Sequence, residues 1–319
     1  MSLISRFSLF FFLHSALLSA QSFDPAAGQP GSRAIPHDSP LIRSWATGIA
    51  DFKRGYRNIS NHSSGFATSG EQSNALGPAL QNGTVSLGDS GFLTLYFPAP
   101  ICNLPGPDFV VFENGFSDGF LELAFVEVSS NGRDFFTFPA SSETPSTLQK
   151  GPFDTLDARY LHNLAGKYRA GFGTGFDLSD LENQQGLDVS AILFVRIRDA
   201  IGSVNPAFAS LDAFNRPVND PWPTDFESGG FDLDAVAAIH LSTGDAPLVW
   251  PSVLNPGDNF GFISPENKQL QLFSSSGVLM ATFPSGQGNQ SRLPPDIAAG
   301  IYYLRSEGRK SSGKIMVRQ

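Results

Sequence analysis

Apolar residues in the middle of the chain recur at every second position. Val85 and Leu87, then Phe92, Leu93, Leu95 and Phe97, alternate with small and polar residues, the period of a half-buried strand. Asp108 to Gly115 (DFVVFENG) reads as a buried strand that runs into a turn at Glu113-Asn114-Gly115. Leu121–Ser130 and Phe135–Phe138 are two further strands, and Asn131-Gly132 between them is a strong short hairpin signal. Strands resume at Ile192–Arg198 and Phe231–His240. The entry segment Phe23–Pro40, rich in Pro, Gly and Ala, reads as a loop or an extended strand.

Two long stretches break the pattern. Ser141–Gln185 contains a predicted short helix over Asp154–His162 and a glycine-rich excursion through Lys167-Tyr168 to Gly175, and Ile201–Gly230 contains Asp220-Pro221-Trp222-Pro223. Long irregular segments inside a compact domain are more often functional than decorative. After Val249 the strand pattern returns at Gln269–Phe273, Val278–Phe283, Gly300–Arg305 and Gly313–Val317, with a turn at Ser274–Gly277. The expected fold is all-β: a jelly-roll-like β-sandwich with long loops, followed by a small C-terminal Ig-like β-sandwich. The expected boundaries are 1–20 for an export signal, 21–245 for the large sandwich and 246–319 for the small one.

Composition fits that reading. The chain has 32 Gly, 23 Pro and 29 Phe, as expected for many turns around an aromatic core. Its one cysteine, Cys102, precludes an intrachain disulfide and reads as a buried small hydrophobe. Net charge is −9, unevenly spread: Gln21–Trp250 carries 13 basic and 26 acidic residues, Pro251–Gln319 carries 7 and 4. An acidic main domain argues against nucleic acid as a partner and suits divalent cations. Arg6, the apolar run Phe7–Leu18 and Ser19-Ala20 have the layout of a secretory signal cut after Ala20. The apolar run is short for a membrane span.

The tail carries, in order, Trp250-Pro251-Ser252-Val253-Leu254-Asn255-Pro256-Gly257, Leu270–Leu279, Leu293-Pro294-Pro295, Gly300–Leu304 and the basic finish Lys314–Arg318. These motifs resemble the C-terminal sorting domain of type IX secretion cargo from Bacteroidota. That family opens on Tyr-Pro-Asn-Pro, where this chain has Trp250-Pro251-Ser252. The resemblance implies export across both membranes, recognition by the type IX machinery and a surface or secreted location. In the main domain, Phe109–Gly115, Glu127–Gly132, Val195–Asp199 and Gly230–Val236 form an ordered set. On these segments the domain is similar to bacterial cell-surface proteins with a jelly-roll, galactose-binding-like fold. Proteins of this kind include carbohydrate-binding modules, and some surface proteins of similar appearance are linked to vitamin B12 capture. The resemblance thus implies a small-molecule or glycan ligand, with an outer-membrane transporter as a further partner.

Candidate chemistry is sparse. Gly88-Asp89-Ser90-Gly91 matches part of a serine-protease nucleophile motif, but His37 and His62 lack the expected flanks, and the segment reads equally as a turn entering a strand. No zinc spacing is present, and Gly171–Gly175 lacks the Lys-Ser/Thr of a phosphate loop. In Phe231–Val236, strand alternation places Asp232 and Asp234 side by side on one face, where two carboxylates require a compensating cation or donors. With Glu113 they form a candidate structural calcium site. The alternatives are a solvated strand face and pairing with Arg196 and Arg198. For ligand contact, Trp222 offers a flat apolar face on a proline-stiffened loop, with Asp220 beside it and Tyr168 in the other excursion; Trp222 serves equally as a plug at the end of the sandwich. The sequence therefore points to a non-catalytic, ligand-capturing surface protein, with a polysaccharide hydrolase or an adhesive protein as alternatives.

Overall fold

The computed structural model describes residues 23–242, 248–251, 253–263, 268–284, 290–308 and 312–318. The expected export signal and the expected boundary at 245/246 lie outside the described residues. In chain order the main sandwich has Ile35–Pro36 (β1), Ser44–Trp45 (β2), Gly48–Lys53 (β3), Val85–Ser86 (β4), Phe92–Ile101 (β5), Phe109–Glu113 (β6) and Ala124–Ser129 (β7). Phe136–Thr137 (β8), Ser141–Ser142 (β9), Leu161–His162 (β10), Phe172–Phe176 (β11), Ile192–Asp199 (β12) and Asp232–Ala238 (β13) follow.

Apart from β9 and β10, which pair with each other, these strands form two antiparallel sheets, β1-β11-β6-β13-β2 with β4 beside β13, and β3-β5-β12-β7-β8. Alternation explains the second sheet. Leu93, Leu95, Phe97, Val126, Val128, Val195 and Ile197 point into the core between the sheets. On the outer face, Glu127 takes Arg198 Nε at 2.9 Å and Arg196 at 3.7 Å. The first sheet is different because both of its faces are covered. Phe109 and Val111 enter the central core, while Val110 and Phe112 pack with Ala79, Ala235, Ala237 and Ile239 in a second cluster against Trp45. Two covered faces require apolar residues at successive positions, which is why 109–112 reads Phe-Val-Val-Phe without alternation.

The Asn131-Gly132 hairpin joins β7 to β8, with Gly132 at φ +75° and the Ser129 hydroxyl accepting Gly132 N–H at 2.9 Å. The helix expected over 154–162 is only a 3₁₀ turn at Ala158–Tyr160. Asp157 caps it through Arg159 N–H at 2.9 Å, and fully buried Leu161 then pairs with Ser142 in a two-residue strand. Burying Leu161 draws the chain back into extended form before a helix can propagate. Cys102 is half-buried rather than enclosed.

The C-terminal module is also all-β, with Leu248–Trp250 (β14), Val253–Leu254 (β15), Asn259–Ile263 (β16), Leu270–Ser274 (β17), Leu279–Phe283 (β18), Gln290–Arg292 (β19), Gly300–Ser306 (β20) and Ser312–Val317 (β21). Its sheets run β14-β16-β19 and β15-β21-β20-β17-β18, around a core of its own that includes Phe260, Phe262, Leu272, Tyr302, Leu304 and Ile315. The Trp250 ring lies 5.3 Å from Tyr96 and 5.1 Å from Phe194 on the outer face of the second main sheet.

Candidate functional site

The two long irregular stretches meet at one end of the main sandwich, and buried side chains join them. Asn219 is fully buried. Its Nδ2 donates to the carbonyls of Pro145 and Leu148 at 2.7 and 2.8 Å, and its Oδ1 accepts Lys150 N–H at 2.9 Å. Gln149 repeats the tie, donating to Gly202 O at 2.9 Å and accepting Val204 N–H at 2.8 Å. Trp222 N–H donates to Lys150 O at 3.1 Å. A polar side chain between loops satisfies backbone groups that have no sheet partner. Nothing in the local pattern around Asn219 or Gln149 signals this role, because their partners are about 70 and 53 positions away.

The joined loops carry aromatic rings outward. Trp222 is half-buried, its Nε1 donates to Asp89 Oδ2 at 3.1 Å, and its ring stacks over Phe208 at 6.4 Å. Phe153 packs against Phe226 at 5.7 Å, yet Phe153 is 72% exposed and Phe226 44% exposed. Two large rings exposed side by side leave an apolar patch at this end, the kind of surface that marks interaction sites. Beside them is an open groove of about 530 Å³ whose lining includes Asp118, Thr144, Lys150, Asp157, Arg159 and Tyr160. Thr144 Oγ1 is buried there without a hydrogen-bond partner among the described residues. Arg159 pairs with Asp157 at 2.6 Å and holds its carboxyl below the usual range.

Two of the three expected ligand contacts are not available to a ligand. Tyr168 is 3% exposed and burial pushes its hydroxyl up to about 12. Asp220 is 4% exposed and turned inward, its Oδ2 accepting Leu123 N–H at 2.8 Å. Trp222 remains at the surface, although its indole N–H is committed to Asp89.

Next to Tyr168, Lys167 is 3% exposed, donates to Leu161 O at 2.8 Å and lies 4.0 Å from Asp24, between the Phe23 and Tyr168 rings. Burial lowers it to about 8, with Asp24 and Asp157 opposing and Arg33 reinforcing the shift. Because the unfolded chain keeps its proton up to the ordinary lysine range, the buried charge costs stability below pH 8, and the cost is relieved as pH rises towards 10.5. Lys167→Met is therefore expected to narrow its stability gap to wild type, or to overtake it, below pH 8. Wild type should gain on the variant by about 2–3 kcal/mol between pH 8 and 10, read from urea melts across that range. A pH-independent gap between the two proteins would contradict this.

The expected acid triad is also rearranged. The β13–β6 register steps from Leu233 opposite Glu113 to Ala235 opposite Phe112, so Asp234 is the extra residue of a bulge. The bulge breaks the alternation that would align Asp234 with Asp232. Asp234 instead accepts Leu80 N–H at 3.0 Å, and Asp232 accepts the Ser86 hydroxyl with Arg54 nearby. Neither acid is on a solvated face, and Arg196 and Arg198 serve Glu127 instead.

Burial raises Glu113 well above the usual carboxyl range, raises Asp232 to about 6, and does the same well upward for Glu122 and Asp220. Asp199, buried beside Asp89, is pushed to about 8. Among the described residues no group of three or more His, Cys, Asp or Glu is arranged to hold a metal ion. Asp89 of the protease-like motif is buried and binds Ile59 N–H at 2.7 Å as well as Trp222, which makes Gly88–Gly91 a structural turn into β5. His240, at the end of β13, pairs with buried Asp108 at 2.7 Å.

No family model and no curated protein matches the chain. Among solved structures, one described as "Biofilm associated protein - BSP domain" aligns at 8% identity with a TM-score of 0.19. The alignment covers 77% of this chain and 54% of that one. The chain thus spans about half the length of that structure, and a score so low carries no argument about fold or function.

Proposed function

We propose that the protein is an exported cell-surface module that captures a nutrient ligand without catalysis, a glycan or a corrinoid such as cobalamin, on the aromatic loop end of its main sandwich. The observation that carries this reading is the set of rings at that end, with Phe153 72% exposed on loops that Asn219 and Gln149 fix in place. Sugar rings and corrin edges both present apolar faces rimmed by polar groups. Aromatic faces beside a polar groove match that chemistry, and fixed loops reduce the ordering cost of binding. Delivery by the type IX machinery through the C-terminal module, and transfer to an outer-membrane transporter, complete the proposal. Their support is the tail's motif order and its basic surface on an acidic partner domain.

The test is a binding screen of the intact exported chain against a glycan panel and cobalamin. Binding to one class is expected, and Phe153→Ala should weaken it about tenfold while leaving the melting temperature within about 1 °C, because the ring is largely solvated already. Leu104→Ala, exposed near Pro105-Gly106 between β5 and β6, is expected to leave binding unchanged. No binding to either class would reject the capture model.

A further inference from the structure

The loop end gathers more acidic side chains than its own cations answer. Asp199 at the end of β12 lies opposite Ala124 at the start of β7, and Ala200 N–H donates to Leu123 O at 3.0 Å, so Glu122 and Asp199 sit on adjoining chain segments. Asp220 is fastened to the same strand end through Leu123 N–H. Asp199 accepts Phe231 N–H at 2.8 Å and Ser90 N–H at 3.0 Å, which brings Asp232 and Asp89 alongside, and Leu233 lies opposite Glu113. Six acids thus gather within one or two residues of backbone groups that tie them together. The nearest answering cations are Arg54, beside Asp232, and Arg198, whose guanidinium is hydrogen-bonded to Glu127 at 2.9 Å.

Four of these carboxylates have identified donors, on both oxygens for Asp199 and on one oxygen for Asp89, Glu113 and Asp232. Asp89 has Ile59 and Trp222, Asp199 has Phe231 and Ser90, Glu113 has Gly115 N–H at 2.7 Å, and Asp232 has Ser86. Asp220 differs. Its Oδ2 is used, but its Oδ1 is buried and meets no donor among the described residues, on a side chain only 4% exposed. Leaving such an oxygen unpaired costs more than most single contacts in a protein contribute. The strongest electrostatic neighbours of Glu122, next to Leu123, are four other acids: Glu113, Asp232, Asp220 and Asp199. An unpaired buried carboxyl oxygen on a side chain whose acidic neighbours are Asp199 and Asp89 is answered by a cation.

We propose that Asp220 Oδ1 and the Glu122 carboxylate hold one hard divalent cation of the calcium type, whose remaining ligands are backbone carbonyls and water. The donors here are all oxygen, with no histidine or cysteine among the six, which disfavours zinc. Because no three acidic or other metal-ligating side chains converge among the described residues, the sphere has to be completed by neutral oxygens. Calcium accepts that mixture at six to eight positions, whereas magnesium demands a small octahedron and keeps its water. The site is distinct from the Glu113, Asp232 and Asp234 triad expected from the pattern, because the bulge turns Asp234 away to Leu80. It would tie the 220 loop to the start of β7, two residues from Trp222, whatever ligand that end captures.

The test is calorimetric titration of calcium into the intact, chelator-treated chain, together with melting curves in calcium, magnesium and EDTA. One calcium per chain is expected, with a melting temperature several degrees higher in calcium than in EDTA and a smaller rise in magnesium. Asp220→Asn and Glu122→Gln are each expected to weaken calcium binding at least tenfold. If Asp220→Asn does not fold, Glu122→Gln carries the test, because that side chain is only half-buried. No heat on titration with identical melting in calcium and EDTA would overturn the proposal. So would calcium binding that survives in every folded variant of the pair at wild-type affinity.

Discussion

Phe109→Ala is expected to destabilise the main sandwich by about 3–5 kcal/mol, the range for truncating a fully buried phenylalanine. Phe109 is inaccessible to solvent, stacks on Phe176 at 5.4 Å and meets the edge of Phe138 at 5.8 Å, while Phe138 and Phe176 meet at 5.1 Å. The three rings come from β6, β11 and the strand end after β8, so removing one leaves a cavity whose walls are fixed by two sheets. Such walls collapse little, which places the cost in the upper part of the range. In a domain of about 200 residues this corresponds to a fall of roughly 10 °C in melting temperature. Urea melts of wild type and variant give the value directly, and a loss under about 1.5 kcal/mol would show that the rings repack. Ligand binding by the folded fraction should be unchanged, because none of the three rings reaches the loop end.

Asn219→Ala is expected to damage both stability and binding. The side chain fills three good hydrogen bonds to the 145–150 segment, and alanine would leave the Pro145 and Leu148 carbonyls and the Lys150 N–H buried without partners. At about 1 kcal/mol or more for each abandoned group, the loss is about 2–4 kcal/mol. The same change unties the loop bearing Phe153 from the loop bearing Trp222 and Phe226. Ligand affinity is therefore expected to fall at least tenfold in protein that is still folded, a combination that distinguishes this variant from Phe109→Ala. Melting curves and titrations on the two variants side by side check it. An Asn219→Ala protein that loses stability and binds normally would mean that the loops are held by other contacts.

Periodicity made the strands legible because the inward positions of β5, β7 and β12 are apolar up to the last residue of β12, the buried Asp199, and the outward ones are polar or covered locally. The same reasoning failed at β13, where a bulge at Asp234 is invisible in a sequence that alternates perfectly on paper. The bulge decided which acids face one another, so the expected calcium triad dissolved and a different acid set around Asp220 emerged. Tyr168 misled for a related reason: a tyrosine in a glycine-rich excursion looks exposed, but the Phe23–Arg33 entry segment folds over it, and that contact spans most of the domain. The aromatic loop end was half legible. Trp222 stood out by its proline flanks, while Phe153, Phe208 and Phe226 are ordinary residues until Asn219 and Gln149 gather their loops.

The account turns on the loop end being the ligand surface, and hydrogen exchange of the intact chain, with and without the ligand retained in the binding screen, tests that most directly. The account predicts slower exchange in the segments around 150–156, 205–209 and 219–227, with the C-terminal module unchanged. Protection that falls on the C-terminal module or on the opposite end near Leu104–Asp108, leaving those three segments at their free rates, would contradict it.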